Sequence, residues 1–339
     1  MLRHLEPLCR LPGVSGDEGA VRNYILEQVR PHADVMVDPL GNVIAHKKGL
    51  RTPAQTVLLA AHMDEVGFIV TAVTDEGYLK FDTVGGIDRR VILGKRVAVG
   101  SAAIPGIIGL KPVHLTSVDE RGRVPEISEL YIDIGAADAD AARALVRLGD
   151  TCVFMTTPFL MGDCLAARAI DDRVGCAILL DLISETLPFD THFVFTVQEE
   201  IGLRGAMAAS FRVRPDIALV IEGTTSADLP GVPSDKAVCC VGRGVVIPFM
   251  DRGTVYDRTL HTQATTLADR QGISWQVKNV IAGGTDAASF QRTSGGARVL
   301  TLATAVRSLH TGYNVANMQD MQQHLALTRA LLFDLETIV

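Results

Sequence analysis

Two adjacent carboxylates at the end of an apolar run are the residues best placed to do chemistry. Gln198-Glu199-Glu200-Ile201-Gly202 follows Phe193-Val194-Phe195-Thr196-Val197, which reads as a buried strand. Two charges there are costly unless each has a partner. A metal ion is the commonest such partner, with one carboxylate as ligand and its neighbour as general base. Further ligand types stand at matching places. His62-Met63-Asp64 follows the apolar run 57–61, and Asp171-Asp172 opens an amphipathic helix. Glu222 follows the run 217–221, and His310 follows the run 299–303 and a short loop.

Histidines and carboxylates without cysteine suit zinc, cobalt or manganese. One ion needs only three protein ligands and a water. The five candidates His62, Asp171, Glu200, Glu222 and His310 match two divalent ions if one carboxylate bridges them. Two ions can share and activate a water and polarise a carbonyl. Glu199 cannot comfortably join Glu200 on the same ion, so it is free to accept the water's proton. Asp64 is spaced to hydrogen-bond the His62 ring nitrogen that faces away from the ion.

The elements that must position these residues fall into two textures. The first 66 residues predict a short helix, a second helix opened by a capping box at Ser15-Gly16-Asp17-Glu18, a hairpin over 35–45 and the strand that delivers His62. From 67 to 155 the pattern turns to short alternating strands split by Gly, Pro and Asp, with one clear helix over 138–146. After 156 helices and strands alternate, as in a layer built on a mainly parallel sheet. The fold class expected is therefore α/β. A central, mainly parallel sheet flanked by helices forms a discontinuous domain, 1–66 and 156–339, and 67–155 is an inserted small β-rich domain. Ligands of such sheets sit beyond the carboxyl ends of the strands. His62, Glu199, Glu200 and Glu222 share that position.

Composition narrows the function classes. The chain has 339 residues, 47% hydrophobic and 21% charged, with length enough for a large core. A net charge of −7 argues against a nucleic-acid or anionic-membrane partner. No apolar run reaches membrane-spanning length, and the N-terminal segment does not read as a signal peptide. Six cysteines at 9, 152, 164, 176, 239 and 240 form no C-x-x-C pair and no evident disulfide framework, which fits a reduced, cytoplasmic protein.

The motifs resemble those of the tetrahedral (TET) aminopeptidases, the glutamyl aminopeptidase-like dinuclear metallopeptidases, some of which carry an endoglucanase label. The matching segments are Ala61-His62-Met63-Asp64-Glu65-Val66-Gly67, Ala169-Ile170-Asp171-Asp172-Arg173-Val174-Gly175, Gln198 to Ala206, Glu222-Gly223-Thr224-Thr225, Asp228-Leu229-Pro230-Gly231, Gly283-Gly284-Thr285-Asp286-Ala287 and the His310 loop. They run in family order along nearly the whole chain. The resemblance implies that His62 and Glu222 bind one ion, that Glu200 and His310 bind the other, and that Asp171 bridges them. Glu199 becomes the base and later the acid toward the leaving amine, and Asp64 orients His62. It also implies a cis peptide after Asp171, a dimerisation role for 67–155, and dimers that build a dodecamer.

Two departures stand out. The family pattern His-Ser-Pro-x-Glu is here His310-Thr311-Gly312-Tyr313-Asn314, and Pro-Ala-Ile is here Val245-Val246-Ile247. The substrate expected is a short peptide with a free α-amine, with Asp286 and Thr285 as candidate contacts, although Gly283 to Asp286 also reads as a simple turn and cap. A deacylase using the same two ions is the alternative. A glycoside hydrolase is disfavoured by one Trp and five Tyr. An inactive scaffold is disfavoured because every ligand and catalytic position is filled.

Overall fold

The computed structural model describes residues 2–337. Its centre is an eight-stranded sheet ordered Asp34–Val37, Val43–Lys47, Thr191–Thr196, Val57–His62, Ile217–Thr225, Arg298–Val306, Val245–Val246, Trp275–Gln276. The four middle strands, from Thr191–Thr196 to Arg298–Val306, run parallel. Their residues are apolar on both faces, as a sheet covered on both sides requires. Val57–His62 is buried at every position.

Helices cover the sheet in two groups. Leu2–Arg10, Gly19–Val29 and Met318–Asp334 gather around Ile170–Ile183, which packs on Val57–His62 and Ile217–Thr225. Arg204–Val213 and Ala287–Arg292 pack on each other and on Thr191–Thr196 and Arg298–Val306. Among the described residues no helix is long and apolar enough to cross a membrane.

The stretch of short alternating strands closes into a six-stranded antiparallel barrel. Its order is Gly67–Val73, Leu79–Val84, Tyr131–Asp133, Ile104–Gly109, Arg96–Val99, Thr151–Phe154. Inward residues such as Phe68, Val70, Phe81, Val97, Ile108 and Phe154 make a core separate from that of the sheet. Closure removes the open edges that such short strands would otherwise expose.

Several local expectations shift. The capping box does not form: Ser15 Oγ donates instead to Asp64 Oδ2 at 2.6 Å, and Gly19–Val29 starts without a side-chain cap. A buried carboxylate competes better for that hydroxyl than a backbone amide does. The strand carrying Glu222 runs on to Thr225, so Glu222 lies within it rather than past its end. The helix Arg258–Gln271 is capped by Asp257, whose side chain accepts from the Leu260 amide.

Candidate metal centre

Strand ends, the strand interior at Glu222, the start of the helix Ile170–Ile183 and one loop bring all five expected ligands, and Glu199, to a single cavity of about 360 Å³. His62 is the last residue of its strand and is 2% exposed. Its Nε2 lies 3.4 Å from Asp171 Oδ1 and 3.6 Å from Glu222 Oε2. His310 Nε2 lies 3.1 Å from Glu200 Oε2. Ligand atoms of His62, Asp171 and Glu200 all fall within 4.8 Å of one another. Glu222 is followed by Gly223 for a steric reason: a Cβ there would meet Asp171 Cβ at 2.9 Å. Any larger residue would push Asp171 out of the cluster.

Asp64 organises the centre more widely than its spacing suggests. The His62 ring Nδ1 sits 3.1 Å from the Asp64 backbone carbonyl and 3.5 Å from its Oδ1. The same carboxylate accepts from the Ser15 hydroxyl and from the backbone amides of Glu199 at 3.0 Å and Glu200 at 3.1 Å. One fully buried side chain thus ties the first histidine to the glutamate pair. Burial works to raise its pKa, but the His62 ring and the Ser15 and Glu199 donors outweigh that and hold it below the usual range. Neighbouring Glu65 is also buried and pairs with Arg168 at 2.9 Å and Arg173 at 3.4 Å, which fastens this segment to the helix Ile170–Ile183.

Asp172 holds backbone rather than facing the cavity. Its Oδ2 accepts from the His62 amide at 3.1 Å and its Oδ1 from the Gly175 amide at 2.9 Å. The Asp171–Asp172 peptide bond is cis, and Asp171 lines the cavity. Sequence reasoning left both Asp172's grip on His62 and Ser15's grip on Asp64 unseen, because each partner is remote in the chain.

His310 is held differently. It lies in a loop with φ 58°, and its Nδ1 is 2.8 Å from the carbonyl of Gly86, in the barrel's connection after Leu79–Val84. Asn314, where the family pattern has Glu, braces this loop. Its Oδ1 accepts from the Ile170 amide at 3.1 Å and its Nδ2 donates to the Ser308 carbonyl at 3.0 Å.

The electrostatics call for cations. Burial, and then repulsion from Glu200 and Asp286, pushes Glu199 well above the usual carboxylate range, against the pull of His62. Burial, and then Asp172 and Asp171, does the same to Glu222. Glu200 is raised by burial despite its bond to His310. Burial opposes protonation of His62, yet Glu222, Asp171 and Asp64 overcome it and raise its pKa. Asp171 Oδ1 and Glu222 Oε1 are buried without a hydrogen-bond donor. Crowded carboxylates, orphaned oxygens and two imidazoles make a donor set that fits divalent metal ions.

The two candidate substrate contacts separate. Thr285 lines the cavity. Asp286 does not: it is 1% exposed and its Oδ2 accepts from Thr196 Oγ1 at 2.5 Å. At the start of the helix Ala287–Arg292 its side chain turns inward, so an incoming amine would not meet it. The cavity also contains Lys278, which sequence reasoning passed over because a lone lysine beside a strand carries no signal.

Comparison with known proteins agrees with this geometry. Residues 41–327 match the model of the M42 glutamyl aminopeptidase family. The chain is 29% identical to a lysyl aminopeptidase of Pyrococcus furiosus, across 98% of this chain and 96% of that one. It is 28% identical to a glutamyl aminopeptidase of Lactococcus lactis, with the same coverage of 98% and 96%. The TET1 peptidase of Pyrococcus horikoshii, whose structures assemble into a tetrahedron or a large octahedral shell, superposes with a TM-score of 0.86 at 33% identity, covering 98% of this chain and 99% of that one. By its family match, its fold and its cavity, the chain belongs to the M42 glutamyl aminopeptidase family and is a peptide hydrolase of the aminopeptidase type.

Proposed function

We propose that the chain is a dinuclear metal aminopeptidase that removes single residues from short peptides bearing a free α-amine. The observation that carries this reading is the convergence of His62, Asp171, Glu200, Glu222, His310 and Glu199 on one cavity. His62 and Glu222 would hold one divalent ion and Glu200 and His310 the other, with Asp171 available to both. Zinc, cobalt and manganese all suit this donor set. When bound, the ions supply Lewis acidity that activates water and polarises the scissile carbonyl.

The protein's own groups do the rest. Glu199 stands next to a ligand yet is spared from binding, and its raised pKa suits a group that takes a proton and returns it to the leaving amine. Asp64 holds His62 and the Glu199–Glu200 backbone in one frame. The excess of carboxylates around the cavity offers the incoming ammonium a counter-charge.

The region 67–155 serves self-association in this reading. Ile107, Val113, Leu115 and Val118 are exposed there, and large apolar residues left in solvent mark contact surfaces. Pairing of these barrels gives a dimer, and a solved TET1 relative described as a dodecamer, with a TM-score of 0.86 to this chain, makes that the expected higher form.

Matched peptides, free and N-acetylated, incubated with metal-loaded protein test the reading. Stepwise release of single residues from the free peptide alone is the expected result. Removal of the acetyl group would make the chain a deacylase, and equal cleavage of both peptides an endopeptidase.

A further inference from the structure

The loop that carries Glu199 and Glu200 leaves the strand Thr191–Thr196 and returns into the helix Arg204–Val213. Its two stems touch. The Gly205 amide donates to the Val197 carbonyl at 3.0 Å, and the Arg204 amide to the Gln198 carbonyl at 3.2 Å. Between the stems the chain turns through Gln198 at φ 56°, Gly202 at φ 118° and Leu203 at φ 57°. Residues with a Cβ seldom hold such angles without outside support.

That support comes from a remote segment. Asn42 lies in the turn between Asp34–Val37 and Val43–Lys47 and is fully buried. Its Oδ1 accepts from the Val197 amide at 3.0 Å, and its Nδ2 donates to the Gly205 carbonyl at 2.9 Å. One carboxamide thus grips both stems of the loop. Its Nδ2 also donates to Asp38 Oδ2 at 2.7 Å, while Asp38 Oδ1 accepts from the amides of Leu40, Gly41 and Asn42. Both amide donors and the carbonyl are engaged, which fixes the way Asn42 faces. The fit admits no side chain at position 205: a Cβ on Gly205 would lie 2.3 Å from the Val197 carbonyl oxygen and 2.4 Å from Asn42 Oδ1. The grip continues along the loop. The Gln198 amide acts on the buried Glu18 carboxylate, and the Glu199 and Glu200 amides donate to Asp64. The amides of residues 197 to 200 are therefore met one after another by side chains from distant parts of the chain.

We propose that Asn42 is a positioning residue for the reaction: by holding Val197 and Gly205 together, it keeps the Glu199 carboxylate in register with the cavity. This rests on the reading of Glu199 as the general base. Asn42 does not line the cavity, so it acts only through the loop that it holds.

The test is a double-mutant cycle on metal-saturated enzyme with an aminoacyl arylamide. Asn42→Ala should lower kcat by roughly 10- to 100-fold, the cost of a small misplacement of a catalytic group, and leave KM nearly unchanged. In a Glu199→Gln background the same change should lower kcat less than about 3-fold, because the group it positions is already gone. A variant that melts earlier but turns over like wild type overturns the proposal, as does a full loss on top of Glu199→Gln. Should Asn42→Ala fail to fold, Asn42→Asp takes its place in the cycle: it keeps the acceptor for Val197, removes both donors and should show the same pattern. Hydrogen exchange on metal-stripped wild type gives a readout free of any variant. The Val197, Glu199 and Glu200 amides should exchange as slowly as those of Thr191–Thr196, and fast exchange would overturn the grip. A wild type that releases no residue from any peptide would instead remove the aminopeptidase reading, and with it the reaction that Asn42 serves.

Discussion

His62 closes a central strand with its side chain 2% exposed, whereas the His310 side chain is 29% exposed and sits in a loop. The ring nitrogen of His62 turned away from the cavity meets Asp64, two residues on in the same segment. The corresponding nitrogen of His310 meets Gly86, which belongs to the barrel. The His62 side of the cavity is therefore framed within the sheet and its flanking segments, and the His310 side is completed across two modules. The contrast teaches that the barrel helps hold a side chain of the cavity, His310, in place. It also predicts unequal halves. An ion beside His62 would be enclosed and rigidly framed, while an ion beside His310 would depend on a more exposed side chain and on how the barrel sits.

Glu199 belongs to neither half, so its loss should be the largest effect that leaves both halves alone. Glu199→Gln is expected to lower kcat by roughly 10²- to 10⁴-fold, with metal content near that of wild type. Loss of metal in that variant, measured by elemental analysis, would make Glu199 a ligand and blur the comparison. Asp64→Asn should weaken both halves at once, because Asp64 holds His62 and the Glu199–Glu200 backbone. A drop of roughly 10- to 100-fold in metal affinity is expected, as for other groups that orient ligands. An effect confined to one ion in a calorimetric titration would limit Asp64 to its bond with His62.

Gly85→Ala probes the other half through the barrel. Gly85 has φ 80°, and a Cβ there would lie 2.8 Å from Val66 Cγ1 and 3.4 Å from Glu200 Cβ. Strain at this position should displace the Gly86 carbonyl and the Glu200 side chain together. The weaker ion should lose several-fold in affinity, of the order seen when a ligand's support is disturbed, while the tighter ion is unmoved. Equal weakening of both ions would mean that the barrel loop acts on the whole centre.

Acid provides the smallest and most graded separation. In metal-stripped protein, burial opposes protonation of His310, but Glu200 lifts its pKa to about 9. A raised pKa gives stability that is full below the ordinary 6.5 and is lost as pH rises through 9. An incoming ion must displace that proton, so binding to this half should strengthen as pH rises from 6.5 to 9 and should release protons to the buffer. His324, away from the cavity, has the opposite sign. Burial depresses it to about 3, so the fold keeps this contribution above pH 6.5 and loses it as pH falls toward 3. Thermal melts against pH should therefore show metal-dependent stability fading before the fold itself weakens. Simultaneous loss would contradict the ordering.

The two halves also differ in how far the sequence revealed them. His62, Glu199 and Glu200 were legible because charged residues leave long apolar runs, a local signal tied to the buried parallel strands. The α/β class followed from the same runs, and a small β-rich domain from its short alternating strands, whose closure into a barrel only the fold shows. His310 was the weakest candidate and rested mostly on the resemblance, since its loop has no period and its support comes from residue 86. Ser15, Asp172 and Lys278 were illegible for the same physical reason. Their partners lie far along the chain, and only the closed fold brings them together. Ser15 even imitated a helix cap until Asp64 took its hydroxyl.

Metal titration of stripped protein, with His62→Ala and His310→Ala beside wild type, tests the central claim most directly. Wild type should take up two ions per chain, one tight and one readily removed by chelator. His310→Ala should retain the tight ion and lose the labile one. His62→Ala should lose the tight ion and, through the shared Asp171, weaken the other. One ion per chain in a fully active enzyme under excess metal would contradict the two-ion centre, and a tight ion that survives in His62→Ala but not in His310→Ala would reverse the two halves.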